Sequence, residues 1–198
     1  MAKIRQSPKL PAEQRREQLL DSARRLFMEK GYRGTSTEEI ATNAGLTKGA
    51  LYFHFSSKEE ILLELVRQMS GQFQHALESL PTPLTPWQII ESVVCCTNAT
   101  KPSEFRSIMD IWVQGMRIPK IRKYIRDEHN QKIAYAVKHL DPRFKLSPAQ
   151  LKQMVVLSFA FCDGISGRRV FNKDSMNEAI QMKLIRTMFE SLAAPVRG

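Results

Sequence analysis

Gly31-Tyr-Arg-Gly-Thr35-Ser-Thr-Glu-Glu-Ile40-Ala-Thr-Asn-Ala-Gly45-Leu-Thr-Lys-Gly-Ala50-Leu-Tyr-Phe-His-Phe55-Ser-Ser-Lys58 reads as two short helices with a tight turn between them. A capping hydroxyl at Ser36, with Glu39 three residues on, opens the first. Ile40, Ala41 and Ala44 share its inner face, and Gly45 stands where the turn needs positive φ. Thr47 caps the second helix, whose inner face is Leu51 and Phe55, four residues apart. Two short helices around a glycine-bearing turn, here Ser36 to Phe55, outline a helix-turn-helix. Thr47, Lys48, Ala50, Phe53 and His54 then point mostly away from the core. The small residues Gly49 and Ala50 let backbone approach a partner closely, and the first amides of the helix are placed to meet a phosphate.

The segment resembles, position by position, the DNA-binding segment of TetR/AcrR regulators. The resemblance rests on Ile40-Ala41, Ala44-Gly45, Leu51-Tyr52, His54-Phe55 and Lys58, and covers about residues 12–72. It implies an all-α chain, with a three-helix helix-turn-helix domain over 12–72 and a larger helical ligand-binding and dimerisation domain over 73–198. It also implies roles: Thr37 on phosphate, Lys48, Gly49 and Ala50 facing the major groove, Tyr52 and His54 on the flanking backbone, and Lys58 anchoring a phosphate. Lys48 is the candidate base reader, since lysine donates to guanine O6 and N7; contact with phosphate alone is the other reading. Phe53 meets a thymine methyl or simply packs. Tyr52 is a groove residue or a core residue whose hydroxyl reaches outward. Ala50 offers no hydrogen bond, which leaves room for shape-based readout.

Outward from this segment, the chain reads as helix after helix. The segments expected are about 11–30, 37–44, 48–55, 58–79, 86–99, 102–115, 118–139, 148–170 and 175–193. Start signals recur at Ser57-x-x-Glu60, Thr85-Pro86-x-Gln88, Ser147-Pro148-x-Gln150 and Ser175-x-x-Glu178. In the first helix Leu19, Leu20, Ala23, Leu26 and Phe27 form one stripe. Gly31 ends it as a left-handed cap. Three prolines, Pro81, Pro83 and Pro86, break the helical period after Ser79 and mark a loop. No hairpin dipeptide joins two alternating runs, and no repeat or low-complexity tract stands out.

The 198 residues suffice for a hydrophobic core, and a 42% hydrophobic, 25% charged composition is ordinary for a globular protein. The formal charge of +10 favours a polyanionic partner or an acidic membrane surface without choosing between them. Lys3, Arg5 and Lys9 lie ahead of the first helix, either on a DNA-tracking arm or on a solvated tail. Lacking an apolar run behind them, they do not make a secretory signal. No apolar stretch reaches the roughly 18–20 residues that span a bilayer. A soluble, cytoplasmic protein without a membrane partner is expected. Cys95, Cys96 and Cys162 are too few for a disulfide framework and read as reduced core thiols.

Enzyme signatures are missing: there is no phosphate-binding glycine loop and no nucleophile elbow. The histidines His54, His75, His129 and His139 lack metal-ligand spacing. No catalytic residue, metal or cofactor is therefore expected. Residues 154–162 are apolar nearly all round, and Ile180, Met182, Leu184, Ile185, Met188, Phe189 and Leu192 are too broad for one core face. In the resembled family the last two helices pair across a two-fold axis; a fully internal helix is the competing reading. The resemblance also implies a small-molecule pocket, for which Phe105, Met109, Trp112, Met116, Phe159 and Asp163 are candidates. A plain core stripe explains the first four equally well, and Asp163 suits a polar ligand group or an ion pair. The basic run from Arg117 to Lys132 reads as a solvated face, an anionic-effector site or a dimer contact. The expected function is a repressor released from a palindromic operator by an inducer. A ligand-independent DNA-binding adaptor or activator acting through a protein partner is the alternative.

Overall fold

A computed structural model describes residues 11–98, 109–110, 113–114, 116–171 and 177–192; within these ranges the side chains of 72–73, 93–98, 162–163, 165–171, 178 and 192 are not described. The helices are α1 (Ala12–Lys30), α2 (Thr37–Asn43), α3 (Lys48–His54), α4 (Lys58–Glu78), α5 (Pro86–Asn98), α6 (Pro119–His139), α7 (Pro148–Phe171) and α8 (Glu178–Leu192). Among the described residues there is no strand, only an isolated parallel bridge between Leu84 and Leu140. The all-α expectation holds. Most of the segment expected at 102–115 lies outside the described residues, although 109–110, 113–114 and 116–117 are helical. The chain forms two compact units: Met1–Gln68 with Arg106–Arg122, and Met69–Phe105 with Lys123–Gly198.

In the first unit, α1 buries the expected stripe of Leu19, Leu20, Ala23, Leu26 and Phe27, joined by Ser22, which apolar periodicity leaves out. The Ser22 hydroxyl donates to the Ile40 carbonyl at 2.8 Å, so a buried polar group fastens α2 to α1 instead of standing unsatisfied. Ile40, Ala41, Leu51, Phe55, Ile61, Leu62 and Leu65 are buried in the same unit.

The loop between α1 and α2 is held from several sides. Gly31 closes α1 with its N–H on the Phe27 carbonyl, at φ 74° and ψ 164°. That is not the left-handed cap expected from sequence but an extended positive-φ conformation essentially restricted to glycine. The following Tyr32 N–H donates to Asp110 Oδ2 at 2.7 Å. Lys58 Nζ, from the first turn of α4, donates to the Tyr32 carbonyl at 2.9 Å and the Thr35 carbonyl at 2.8 Å. The same ammonium lies 4.3 Å from the Tyr32 ring centroid, a cation–π contact. Burial lowers the Lys58 pKa, and burial together with the Glu59 carboxylate pushes the Tyr32 phenol up to about 12.

Helix starts follow the sequence signals with two adjustments. Ser36 and Glu39 form a reciprocal capping box, and Thr85 with Gln88 and Ser147 with Gln150 repeat it. At α4 the box straddles two serines: Ser57 Oγ accepts from the Glu60 N–H, while the Glu60 carboxylate accepts from the Ser56 N–H. The last helix starts later than expected. Asn177 Oδ1 accepts from the Ile180 N–H at 3.1 Å and so caps α8, whereas Ser175 lies outside the described residues.

In the second unit, Leu77, Leu84, Ile89, Ala136, Leu151 and Val155 form one apolar cluster, and Ile90, Met154, Ile185 and Phe189 form another. The proline-rich loop is pinned down: the Leu84 N–H donates to the His139 carbonyl at 2.7 Å, and the Asp141 N–H donates to the Leu84 carbonyl at 2.8 Å. Lys132 departs from the solvated face read in sequence. It is buried, with its ammonium 2.8 Å from Ser70 Oγ and 3.4 Å from a Glu128 carboxylate oxygen.

Two outcomes follow. Lys58→Met preserves the aliphatic stem but leaves two carbonyls without their donor; urea melts should show a loss of about 1–3 kcal/mol. An unchanged melt would remove Lys58 from the account of the loop. Glu39 titrates at about 2, below its ordinary 4.5, because of its hydrogen bond to Lys30 and then those to the Ser36 N–H and hydroxyl. Its stabilisation is complete above pH 4.5 and is lost as pH falls through about 2. Carboxyl-detected NMR should give that low midpoint, moving toward 4.5 in Lys30→Met.

Candidate nucleic-acid interface

The turn before α3 is built from backbone. The Gly45 N–H reaches the Thr42 carbonyl at 3.0 Å and the Leu46 N–H reaches the Ala41 carbonyl at 2.9 Å. Gly45 has φ 69°, the positive value expected from its place in the sequence. Thr47 then caps α3, its hydroxyl oxygen accepting from the Ala50 N–H at 3.1 Å.

Helix α3 has two opposed faces. Leu51 and Phe55 are fully buried, and the Arg16 guanidinium lies 5.2 Å from the Phe55 ring centroid. On the other side Phe53 is 80% exposed and Tyr52 47% exposed. Thr47, Lys48 and Gly49 are exposed as well, with Ala50 and His54 half-buried. A phenylalanine this exposed costs about 1.5–3 kcal/mol of burial left unused, so internal packing does not explain it. Its ring meets His54 edge-on at 5.1 Å. A Cβ on Gly49 would meet only Thr47 Oγ1, at 3.9 Å, so the protein's own packing does not require glycine there.

Two contacts tie the start of α2 to this face. The Tyr52 hydroxyl lies 3.3 Å from the half-buried Thr37 Oγ1. Lys48 Nζ lies 3.5 Å from Glu38 Oε2. The structure thus brings Thr37, Thr47, Lys48, Gly49, Ala50, Tyr52, Phe53 and His54 into one neighbourhood. Lys58 sits differently: two of its three N–H bonds serve the loop carbonyls, leaving one for any phosphate.

Sequence reasoning passed over Glu38 and Asp110. Glu38 was visible as a first-turn acid, though nothing in the chain order pairs it with Lys48. Asp110 carried no signal, being 78 residues from its partner Tyr32.

Of the six residues expected around an effector, the side chains of three are described: Met109, Met116 and Phe159. Met109, half-buried, and Met116, 65% exposed, belong to the stretch Arg106–Arg122 that packs with the first unit. Phe159 belongs to the second unit, packs against both of its apolar clusters and stacks on His129 at 4.9 Å. Phe105 and Trp112 lie outside the described residues, as do the side chains of Asp163, Cys95, Cys96 and Cys162 and the basic residues Lys3, Arg5 and Lys9. Among the described residues no group of His, Cys, Asp or Glu has an arrangement fit to hold a metal, and no helix is long and apolar enough to cross a membrane.

Residues 19–65 match the family described as bacterial regulatory proteins, tetR family. The HTH-type transcriptional repressor KstR2 of Mycolicibacterium smegmatis is 37% identical over 82 residues, 39% of this chain and 40% of that protein. The HTH-type transcriptional activator FasR of the same species is 42% identical over 64 residues, 32% of this chain and 29% of that protein. The chain thus matches well under half the length of these curated relatives. Over nearly the whole chain the fold is that of Salmonella enterica GusR, with TM-score 0.73 at 18% identity, covering 94% of this chain and 99% of that one. A transcriptional regulator from Saccharomonospora viridis, solved in complex with choline, has TM-score 0.65 at 20% identity over 90% and 96% of the two chains. Through residues 19–65 the chain is similar to the tetR family of bacterial regulatory proteins, and over nearly its whole length it shares the fold of these solved structures.

Proposed function

We propose that this chain is a sequence-specific DNA-binding transcriptional repressor, acting in the cytoplasm as a homodimer on a palindromic operator and released by a small-molecule inducer. The observation that carries the reading is the outer face of α3. A helix anchored through Leu51 and Phe55 presents Lys48, Tyr52 and Phe53 to solvent. That combination suits a groove: donors for phosphate and base edges, and an apolar ring for a thymine methyl. Thr37, Thr47, Gly49, Ala50 and His54 complete the surface, and Lys58 has one N–H left for phosphate. The net charge of +10 adds the attraction for a polyanion.

Pairing is supported by α8. Ile185 and Phe189 face the core, while Ile180, Leu184 and Met188 form an exposed stripe at four-residue spacing, Leu184 at 60% exposure. Val156 and Leu157 of α7 are also exposed. A second copy would cover this surface, and two reading helices about one turn of duplex apart (~34–36 Å) would read a pseudo-palindrome. Phe159, which stacks on His129, is the candidate effector contact of the second unit whose side chain is described. A bound choline in a protein of the same fold supports a small organic effector. The effector can shift DNA binding only by its difference in affinity between the two states. The activator reading keeps one support, the similarity of the head to that of FasR.

The test is retardation and anisotropy with genomic fragments across a salt series. Lys48→Ala and Tyr52→Ala should each abolish specific retardation with the dimer intact by light scattering; a variant pair that still selects the same fragment overturns the assignment of α3. Leu184→Glu should give a monomer that no longer retards the operator. A dimer surviving that change would place the pairing surface elsewhere.

A further inference from the structure

We propose that Glu38 and Lys48 act as one recognition unit that reads a single G·C base pair in each operator half-site. The inference rests on the DNA-binding reading above and assigns a specificity role to Glu38, a residue outside the set marked from sequence.

Glu38 lies in the first turn of α2 and Lys48 opens α3, and their charged atoms approach to 3.5 Å across the helix-turn-helix. Both side chains are exposed, at 71% for Glu38 and 56% for Lys48. Exposed pairs of this kind contribute little to folding. A first-turn acid also suits the dipole of α2, but at an exposed site that gain is small, so stability is a weak reason to keep a carboxylate on this face. Binding to a polyanion is a worse one, because a carboxylate on a phosphate-facing surface repels the duplex. A carboxylate on this face does have a use if it reads a base. Thr37, the residue before Glu38, touches the Tyr52 hydroxyl, so the start of α2 lies against α3 beside the exposed face rather than behind it.

The chemistry is complementary. In the major groove guanine presents the acceptors N7 and O6, and its partner cytosine presents the N4 amino donor. O6 and N4 are joined in the base pair and are therefore about one hydrogen bond apart, near 3 Å. A lysine donor beside a carboxylate acceptor matches that edge: Lys48 donates to guanine while Glu38 accepts from cytosine N4. An A·T pair at the same position puts the thymine methyl against the charged pair. The pairing also orients Lys48. With the carboxylate beside it, the ammonium is held toward the pair of helices instead of swinging to the nearest phosphate. Glu38 thus lowers affinity for DNA in general and raises the contrast between sites.

The experiment is selection from a randomised duplex pool with the full chain, followed by titration of the selected duplex and of versions with each G·C pair changed to A·T. Wild type, Glu38→Gln, Glu38→Ala and Lys48→Ala are compared, with thermal melting confirming that each variant is folded. In wild type one G·C pair per half-site should be selected, and its change to A·T should weaken binding about 10- to 100-fold. In both Glu38 variants that preference should relax at the same position alone, and Glu38→Ala should bind unselected DNA more tightly than wild type. Glu38 variants that retain the wild-type preference at every position overturn the inference while leaving the DNA-binding reading intact. A wild-type consensus without a G·C pair does the same. A wild-type chain that selects no sequence overturns both.

Discussion

Tyr32 is the residue through which the first unit is put in order. Its amide is taken by Asp110, its carbonyl and ring by Lys58, and its ring edge by Phe27 at 5.3 Å. These partners come from α1, from the start of α4 and from the helical stretch near residue 110, so one position ties together parts of the chain far apart in sequence. Residues 31–35 lead straight into the Ser36 cap and hence set where α2 begins. A loop of six residues without these bonds would leave the orientation of α2 and α3 to apolar packing alone. Packing is tolerant of small rotations; a charged acceptor at 2.7 Å is not.

The same unit shows how a short helix becomes a rigid probe. A seven-residue helix is far too short to hold itself together in water. Helix α3 persists because Thr47 caps it and because Leu51 and Phe55 bury one side completely. The opposite side is then free to be chosen for chemistry, and it carries residues that folding does not favour there: an exposed phenylalanine, a glycine with room for a side chain, and a lysine at the positive end of the helix dipole. Local sequence choices that oppose folding are the ones to examine for function.

The second unit obeys a different economy. Two of its helices, α5 and α7, begin at reciprocal caps, Thr85 with Gln88 and Ser147 with Gln150, and its long loop is tethered by the Leu84–Leu140 bridge. With the helix starts and the loop both fixed, two apolar clusters share Phe159 and Leu146. What α8 leaves uncovered on its outer side is a row of large apolar residues, Ile180, Leu184 and Met188, four positions apart.

Most positions of the described helices, the glycine turn and the two-faced character of α3 were legible in the chain order, because each depends on residues within four or five positions of one another. Capping pairs, heptad-like apolar spacing and a glycine at positive φ are local signals and need no knowledge of the rest of the molecule. What tertiary structure alone decided is long-range and polar: Asp110 on the Tyr32 amide, Ser22 on the Ile40 carbonyl, Lys132 buried with Ser70 and Glu128, and Glu38 beside Lys48. Apolar periodicity carries no information about which distant donor meets which acceptor. For the same reason the stripe Met109–Met116, an evident helical pattern, gave no sign that its surroundings would be those of the first unit. Sequence spacing says that a face will be buried; only the folded chain says against what.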